Sequence, residues 1–319
     1  MNITVTGASG FFGRHLLPAL HCAYGSQVTG ISSNDYDLTE PGAVRAMFRD
    51  LRPDILVHLA AYVGGIGANR DYPADFFYRN ILLSSLLFEG AARYGVRKLI
   101  YPMGGCSYPA SAASPISEHE IWNGYPQHES APYSIAKKTG LVASRAYRDQ
   151  YGLNSIVIIP GNMYGEYDNF DLNGSHVIPG MIRRFYEAKH SGASEVVVWG
   201  TGAVLRDFVY AGDVAGAVQY FIEKYDSVEP VNISTGTATS ISELAETIAR
   251  LTEFTGRIVF DHSKPDGQRA KIFDTTRMRS LGLSCPTSLN DGLQRTIHWF
   301  AKNYQSRGDG IRLSGKSFV

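Results

Sequence analysis

Between residues 2 and 160 short apolar runs alternate with longer amphipathic stretches, and few folds accept that order. NITVTG leads into FFGRHLLPALHCAYG, SQVTGI into EPGAVRAMFRDL, and DILVHLAA into PADFFYRNILLSSLLFEGAARYG; RKLIYPM, PYSIAKKTGLVASRAYRDQYG and NSIVIIP continue the series. Strand–helix alternation sets successive strands parallel with helices on both faces, which is a Rossmann-type doubly wound α/β sheet. After about residue 165 the rhythm changes to loops, the short strand EVVVWG and the helix SISELAETIARLTE, the pattern of a smaller C-terminal α/β lobe. The expected division is 1–165 for the sheet domain and 166–310 for the second lobe, with 206–225 returning to the first. The polar stretch 311–319 reads as a flexible tail.

A chain of 319 residues has ample core for such a fold. Its 30 basic and 30 acidic residues cancel, so no global field draws it to nucleic acid or membrane, and an anionic ligand needs local charges. Three scattered cysteines argue against a disulfide framework or a zinc site, and no metal is expected. The absence of a charged leader or a spanning apolar run makes the cytoplasm the default location.

The first strand–helix turn reads GASGFFG, with Gly7, Gly10 and Gly13 in GxxGxxG spacing. Glycines there let a pyrophosphate approach the helix N-terminus, where free N–H groups favour anions. Ser9, Phe11, Phe12 and Arg14 complete the turn, and the spacing resembles that of the short-chain dehydrogenase/reductases. The second strand ends in TGISSND, where Ser32 and Ser33 stand in place of the carboxylate that would hold NAD ribose; this leans towards NADP, with Arg14 in reach of a phosphate. Asp37 and Leu38 resemble an adenine-contacting pair.

Tyr133 and Lys137 lie four apart on one predicted helix, hence on one face. A lysine there binds the nicotinamide ribose and lowers the phenol pKa, so that tyrosine can protonate a carbonyl oxygen. Upstream, YPMGGCSYP places Cys106 directly after a strand and two glycines. A free cysteine is ordinarily a small core filler, but that position suits chemistry better. His58, after DILV, reads as structural.

Together with AAYVGGIGANRDYPADFFYRN, CSYP, PYSIAK, GNMYGEYDNF, SHVIPGMIRRF, VVVWGTG, RDFV and SKPDGQRAKIFD, these residues identify a resemblance to the GDP-L-fucose synthase family of extended short-chain dehydrogenase/reductases. The resemblance runs from GASGFFG to RTIHWF. It implies NADPH-dependent 3,5-epimerisation and 4-reduction of a GDP-4-keto-6-deoxyhexose. In that pattern Cys106 and His176 move carbon-bound protons, Tyr133 protonates O4, and Lys137 supports it. Ala60, Lys137 and His176 join the cofactor contacts. Asn162 touches sugar or phosphate, Arg184 and Arg206 hold the pyrophosphate, Trp199 packs on guanine, and Asp266 and Lys271 close over the nucleotide. Helices 73–94 and 131–151 resemble those through which members form homodimers.

One departure stands out. The superfamily's catalytic serine or threonine falls two residues before the cysteine, where this chain has Gly104. Three alternatives stay open: a GDP-hexose 3,5-epimerase that keeps its NAD(P) bound with no net redox, a related GDP-sugar 4-reductase or epimerase with a different sugar, and an idle NAD(P)-binding regulator. Net NADPH consumption separates the first and the last from the main reading.

Overall fold

The structure, a computed structural model, describes residues 1–264, 266–306 and 310–314. In chain order the strands are β1 (Ile3–Thr6), β2 (Val28–Ile31), β3 (Ile55–His58), β4 (Lys98–Pro102), β5 (Asn154–Pro160), β6 (Asn162–Tyr164), β7 (Glu195–Trp199), β8 (Leu205–Arg206), β9 (Phe208–Tyr210), β10 (Val231–Ile233), β11 (Thr239–Ser240), β12 (Arg257–Asp261) and β13 (Ala270–Lys271). The α-helices are α1 (Phe11–Tyr24), α2 (Pro41–Leu51), α3 (Ile66–Asp71), α4 (Pro73–Arg93), α5 (Ala131–Tyr151), α6 (Val177–Ser191), α7 (Ala211–Glu223), α8 (Ile241–Leu251), α9 (Thr276–Ser280) and α10 (Leu289–Ser306).

Every residue of β1 and β3 is buried, as central strands covered on both faces require. The main sheet is six-stranded and parallel in the order β10-β5-β4-β3-β1-β2. The chain steps outward from β1 to β2 one way and from β3 to β5 the other. The carboxyl ends of β1 and β3 therefore flank the switch point where such sheets bind ligands. Pro73 and Pro132 open α4 and α5 with pre-set φ, and Gly152 in the left-handed region stops α5. Both helices pack over one face of the sheet, while α1 and α7 bury Leu16, Val218 and Phe221 against the other.

The second lobe has its own core, with Ile182, Phe185, Leu244, Ile248 and Phe300 at its centre. The capping box Ser240–Glu243 starts α8. Two features go beyond the sequence reading. The return to the first domain does not end at 225: the chain continues into β10, which joins the main sheet beside β5. The tail expected to be flexible begins with tied residues, since Phe170 N donates to Arg312 O at 2.9 Å and Arg183 Nη1 to Leu313 O at 2.7 Å. Residues 315–319 of that segment lie outside the described residues. Among those described, no helix is long and apolar enough to cross a membrane.

Candidate active site

The turn between β1 and α1 is built by contact with the end of β3. Gly7 has φ of 66°, and a Cβ there would stand 2.7 Å from Ala60 N, so both conformation and space demand glycine. Gly10 is the N-cap of α1 with no side-chain cap, which leaves the N–H groups of Phe11, Phe12 and Gly13 facing outward for an anion. Thr6 Oγ1 accepts from Ala60 N at 3.0 Å and shares a hydrogen bond with His58 Nδ1, also at 3.0 Å. Burial, with the Lys137 charge adding to it, keeps His58 neutral. His58 Nε2 is buried and left without a hydrogen-bond partner among the described residues. A dinucleotide's pyrophosphate fits this turn.

Beyond β2 the turn adds an acid that the strand end itself does not carry. Ser32 uses its N–H and hydroxyl on Asp35 Oδ2, each at 2.8 Å, so a carboxylate does stand at the strand end. It comes from three residues downstream, outside the position the sequence pattern inspects. Ser33 beside it is exposed. Asp37 Oδ1 accepts from Thr39 N and Oγ1, and Leu38 is buried. Arg14 donates from Nε to Ser9 O at 3.2 Å and lies over the Tyr167 ring, towards the second lobe; no hydrogen bond ties it to Ser32 or Ser33.

Cys106 sits in a one-turn helix after β4, and α5 holds it from one side. Ser134 Oγ donates to Cys106 O at 3.1 Å, and Ser107 Oγ to Ser134 O at 3.2 Å. Both serines therefore clamp the loop rather than replace the missing catalytic hydroxyl. From the other side the Phe273 ring fills the space over Gly105, where a Cβ would meet it at 2.4 Å. Gly104 has φ of −71°, an ordinary extended conformation. Its Cβ vector points at the chemistry: a Cβ would lie 3.2 Å from Cys106 Sγ and 3.9 Å from the Tyr133 hydroxyl. Gly104 is thus the vacant position of a third polar group between cysteine and tyrosine.

Lys137 is buried on α5 with Nζ over the Tyr101 ring at 4.1 Å. Burial pushes its ammonium down to about 7, opposed by Cys106. The half-buried Tyr133 phenol is pushed well up, chiefly by burial, then by Cys106 and Tyr101. The lowering of the phenol expected from Lys137 is not seen in the protein alone. A raised phenol stays protonated, which suits a proton donor.

His176 is the exposed N-cap of α6 and makes no side-chain cap bond. Its loop meets the loop after β3 backbone to backbone. Gly65 N donates to Gly174 O at 3.1 Å, and a Cβ on Gly65 would stand 2.8 Å from Ser175 O. Asn69 Nδ2 steadies that glycine loop through Gly64 O and Gly65 O. Asp168, which the sequence reading did not single out, is buried in the same loop as His176, and its Oδ2 has no partner among the described residues. Burial pushes its carboxyl up, opposed first by His176. Its only sequence signal is an acid set among aromatics in GEYDNF.

The nucleotide residues divide. Trp199, 61% exposed at the end of β7, has the Arg184 guanidinium 5.7 Å and the Lys264 ammonium 5.6 Å from its ring centroid. An aromatic face flanked by two cations suits a flat base with phosphates attached. Arg206 spends Nη1 on Leu205 O and Gln268 O. Asn162 donates from Nδ2 to Asp207 O at 2.8 Å. Asp266 uses both oxygens on Thr201, at 2.7 and 2.8 Å, to hold the turn after β7. Lys271 is half-buried, with Cys106 and Arg206 acting on it electrostatically.

Comparison with known proteins agrees with this arrangement. A family model described as "NAD dependent epimerase/dehydratase family" matches residues 3–234. GDP-L-fucose synthase 1 of Arabidopsis thaliana is 40% identical over 273 residues, 86% of this chain and 84% of the relative. GDP-L-fucose synthase of Escherichia coli is 39% identical over 279 residues, 85% of this chain and 87% of that one. The crystal structure of a GDP-L-fucose synthetase from Naegleria fowleri bound to NADP superposes with a TM-score of 0.86 at 29% identity, covering 95% of each chain. With a matched segment this long, and a glycine turn, Tyr133 and Lys137 grouped at the carboxyl ends of one parallel sheet, the chain belongs to the NAD dependent epimerase/dehydratase family.

Proposed function

We propose that this protein is a 3,5-epimerase/4-reductase of a GDP-4-keto-6-deoxyhexose, using NADPH, as the names of its relatives suggest. The observation that carries the reading is the meeting of Cys106 and Tyr133 at Gly104, 3.2 and 3.9 Å from its Cβ position. One carbon base and one oxygen acid there serve a single sugar ring. The turn Gly7–Gly13, the start of α1 and Lys137 would hold the cofactor. When bound, NADPH supplies the hydride that reduces C4.

The carbonyl at C4 acidifies the protons at C3 and C5. Cys106, as thiolate, takes such a proton, and the C–H electron pair moves into the carbonyl to form an enolate. His176, as imidazolium, returns a proton to the same carbon from the opposite face, inverting it. Tyr133 then donates its phenolic proton to O4 during reduction. Arg184, Trp199 and one free edge of Arg206 orient the GDP. Asp266 acts at one remove, by setting the turn beside Trp199.

Gly104 favours a second reading, since the absent hydroxyl weakens reduction more than epimerisation: a GDP-hexose 3,5-epimerase that retains its cofactor. One run with GDP-4-keto-6-deoxymannose and NADPH in D2O separates the two. The main reading expects loss of NADPH absorbance and deuterium at both C3 and C5 of the product. Deuterium without NADPH loss transfers the assignment to the epimerase, and NADPH loss without deuterium overturns the epimerase half.

In the same proposal the protein acts as a cytoplasmic homodimer. On the outer faces of α4 and α5, Phe77, Tyr78 and Val142 are 43%, 64% and 58% exposed, and a second copy would cover them. Light scattering that gives a monomer mass at all concentrations would refute the dimer.

A further inference from the structure

The resemblance assigns Lys271 to the nucleotide, but the local geometry turns it elsewhere. β13 pairs with β8, and the chain beyond it stays extended: Asp207 N donates to Lys271 O at 3.1 Å and Ile116 N to Ile272 O at 2.8 Å. In an extended chain, side chains two residues apart leave by the same face. Phe273 leaves by the face that covers Gly105, with its ring at 2.4 Å from the Cβ position. Lys271, two residues earlier, is therefore directed at the loop that holds Cys106.

The surroundings of its ammonium agree. Lys271 is half-buried, and no hydrogen bond or ion pair to Nζ forms among the described residues. Burial pushes the group down, Cys106 opposes that, and the Arg206 guanidinium reinforces it. A shielded cation beside another cation needs an anion. Of the groups that act on Lys271, the Cys106 sulfur is the one able to take that charge. Tyr133 and Lys137 of α5 also act electrostatically with Cys106, and Arg206 of β8 acts with Lys271. Lys137 Nζ lies 4.1 Å over the Tyr101 ring.

We propose that Lys271 is a positioning residue for epimerisation, whose ammonium holds Cys106 as the thiolate that abstracts the carbon-bound proton. The proposal rests on the reading of Cys106 as the carbon base. The same charge steadies the enolate while the thiol carries the abstracted proton. Release of that proton restores the thiolate beside an unchanged ammonium, so no co-reactant is required.

The test needs neither sugar nor cofactor, so its outcome is separate from that of the proposed reaction. Iodoacetamide alkylation of the ligand-free protein is followed as a function of pH, with the Cys106 peptide resolved by mass from those of Cys22 and Cys285. Lys271→Met is expected to slow Cys106 alkylation at pH 7 by about three- to tenfold. The midpoint of the pH profile should rise by about half to one unit. Lys271→Arg should restore most of the rate, and Lys138→Met, whose ammonium lies 4.8 Å over the Trp122 ring, should change nothing. Thermal melts establish folding, and Lys271→Gln substitutes if the methionine variant does not fold. An unchanged Cys106 profile in a folded Met or Gln variant overturns the proposal, most clearly if GDP affinity falls instead.

Discussion

Cys106 and His176 face one sugar ring in the proposed reaction, yet the molecule holds them by unlike means. The Cys106 loop is pinned from both sides: α5 grips it through Ser134 and Ser107, and Phe273 closes over Gly105. The His176 loop rests on a backbone seam at Gly65 and on bonds to the tail, where Arg312 Nη2 donates to Tyr167 O at 2.8 Å. One proton carrier is part of the sheet domain's packing. The other is delivered by contact between two loops far apart in sequence. A reaction on two faces of a ring needs that arrangement, because a single rigid wall reaches only one face.

The sharpest break in the comparison is chemical. Cys106→Ser should reduce deuterium exchange at C3 and C5 by about a hundredfold or more, while hydride transfer partly persists and gives a D-sugar. Tyr133→Phe should do the reverse, keeping exchange and losing reduction by about a hundredfold or more. Single-turnover absorbance and product NMR report both, and equal loss of both activities in folded variants would sink the separate roles.

The seam is tested next. Gly65→Ala sets a Cβ 2.8 Å from Ser175 O, where only backbone can yield. Exchange should drop about tenfold through displacement of His176, with about 1–3 kcal/mol of lost stability, while Cys106 alkylation stays at the wild-type rate. Normal exchange and an unchanged melt would mean that the seam does not position the histidine.

On the Cys106 side, Gly104→Ser should add function. The φ of −71° admits serine, and the Cys106 sulfur need move only a few tenths of an ångström from its 3.2 Å contact. A hydroxyl there should speed hydride transfer up to about tenfold, with exchange nearly constant. A folded variant that binds GDP-sugar normally but reduces it no faster would show that the missing hydroxyl is not limiting.

The smallest effect concerns Asp35, whose exposed carboxylate the Ser32 hydrogen bonds keep ionised by pushing its pKa down. Asp35→Ala should raise the preference for NADPH over NADH by about two- to fivefold, measured as a ratio of dissociation constants. An unchanged ratio would remove Asp35 from cofactor choice.

Much of the fold was legible because its signals are local. Apolar runs such as ITVT and ILVH are buried at every residue, and Tyr133 and Lys137 share a face because a helix repeats every 3.6 residues. The strand β10 was not legible, since three residues carry no period and pairing with β5 creates the strand. Asp35 escaped for a related reason: a turn brings its carboxylate back to Ser32. The contacts of Arg14 with Tyr167 and of Asp266 with Thr201 were not legible either, because they join residues of separate elements.

By itself the sequence determined the parallel sheet, the glycine turn between β1 and α1, and the shared helix face of Tyr133 and Lys137. Each follows from backbone conformation and periodicity within one βα unit. Only the tertiary structure decided that Gly104 opens between Cys106 and Tyr133, that Gly65 seats the His176 loop, and that Phe273 closes over Gly105. Those relations join residues tens to more than a hundred and fifty positions apart, and close packing alone sets such distances.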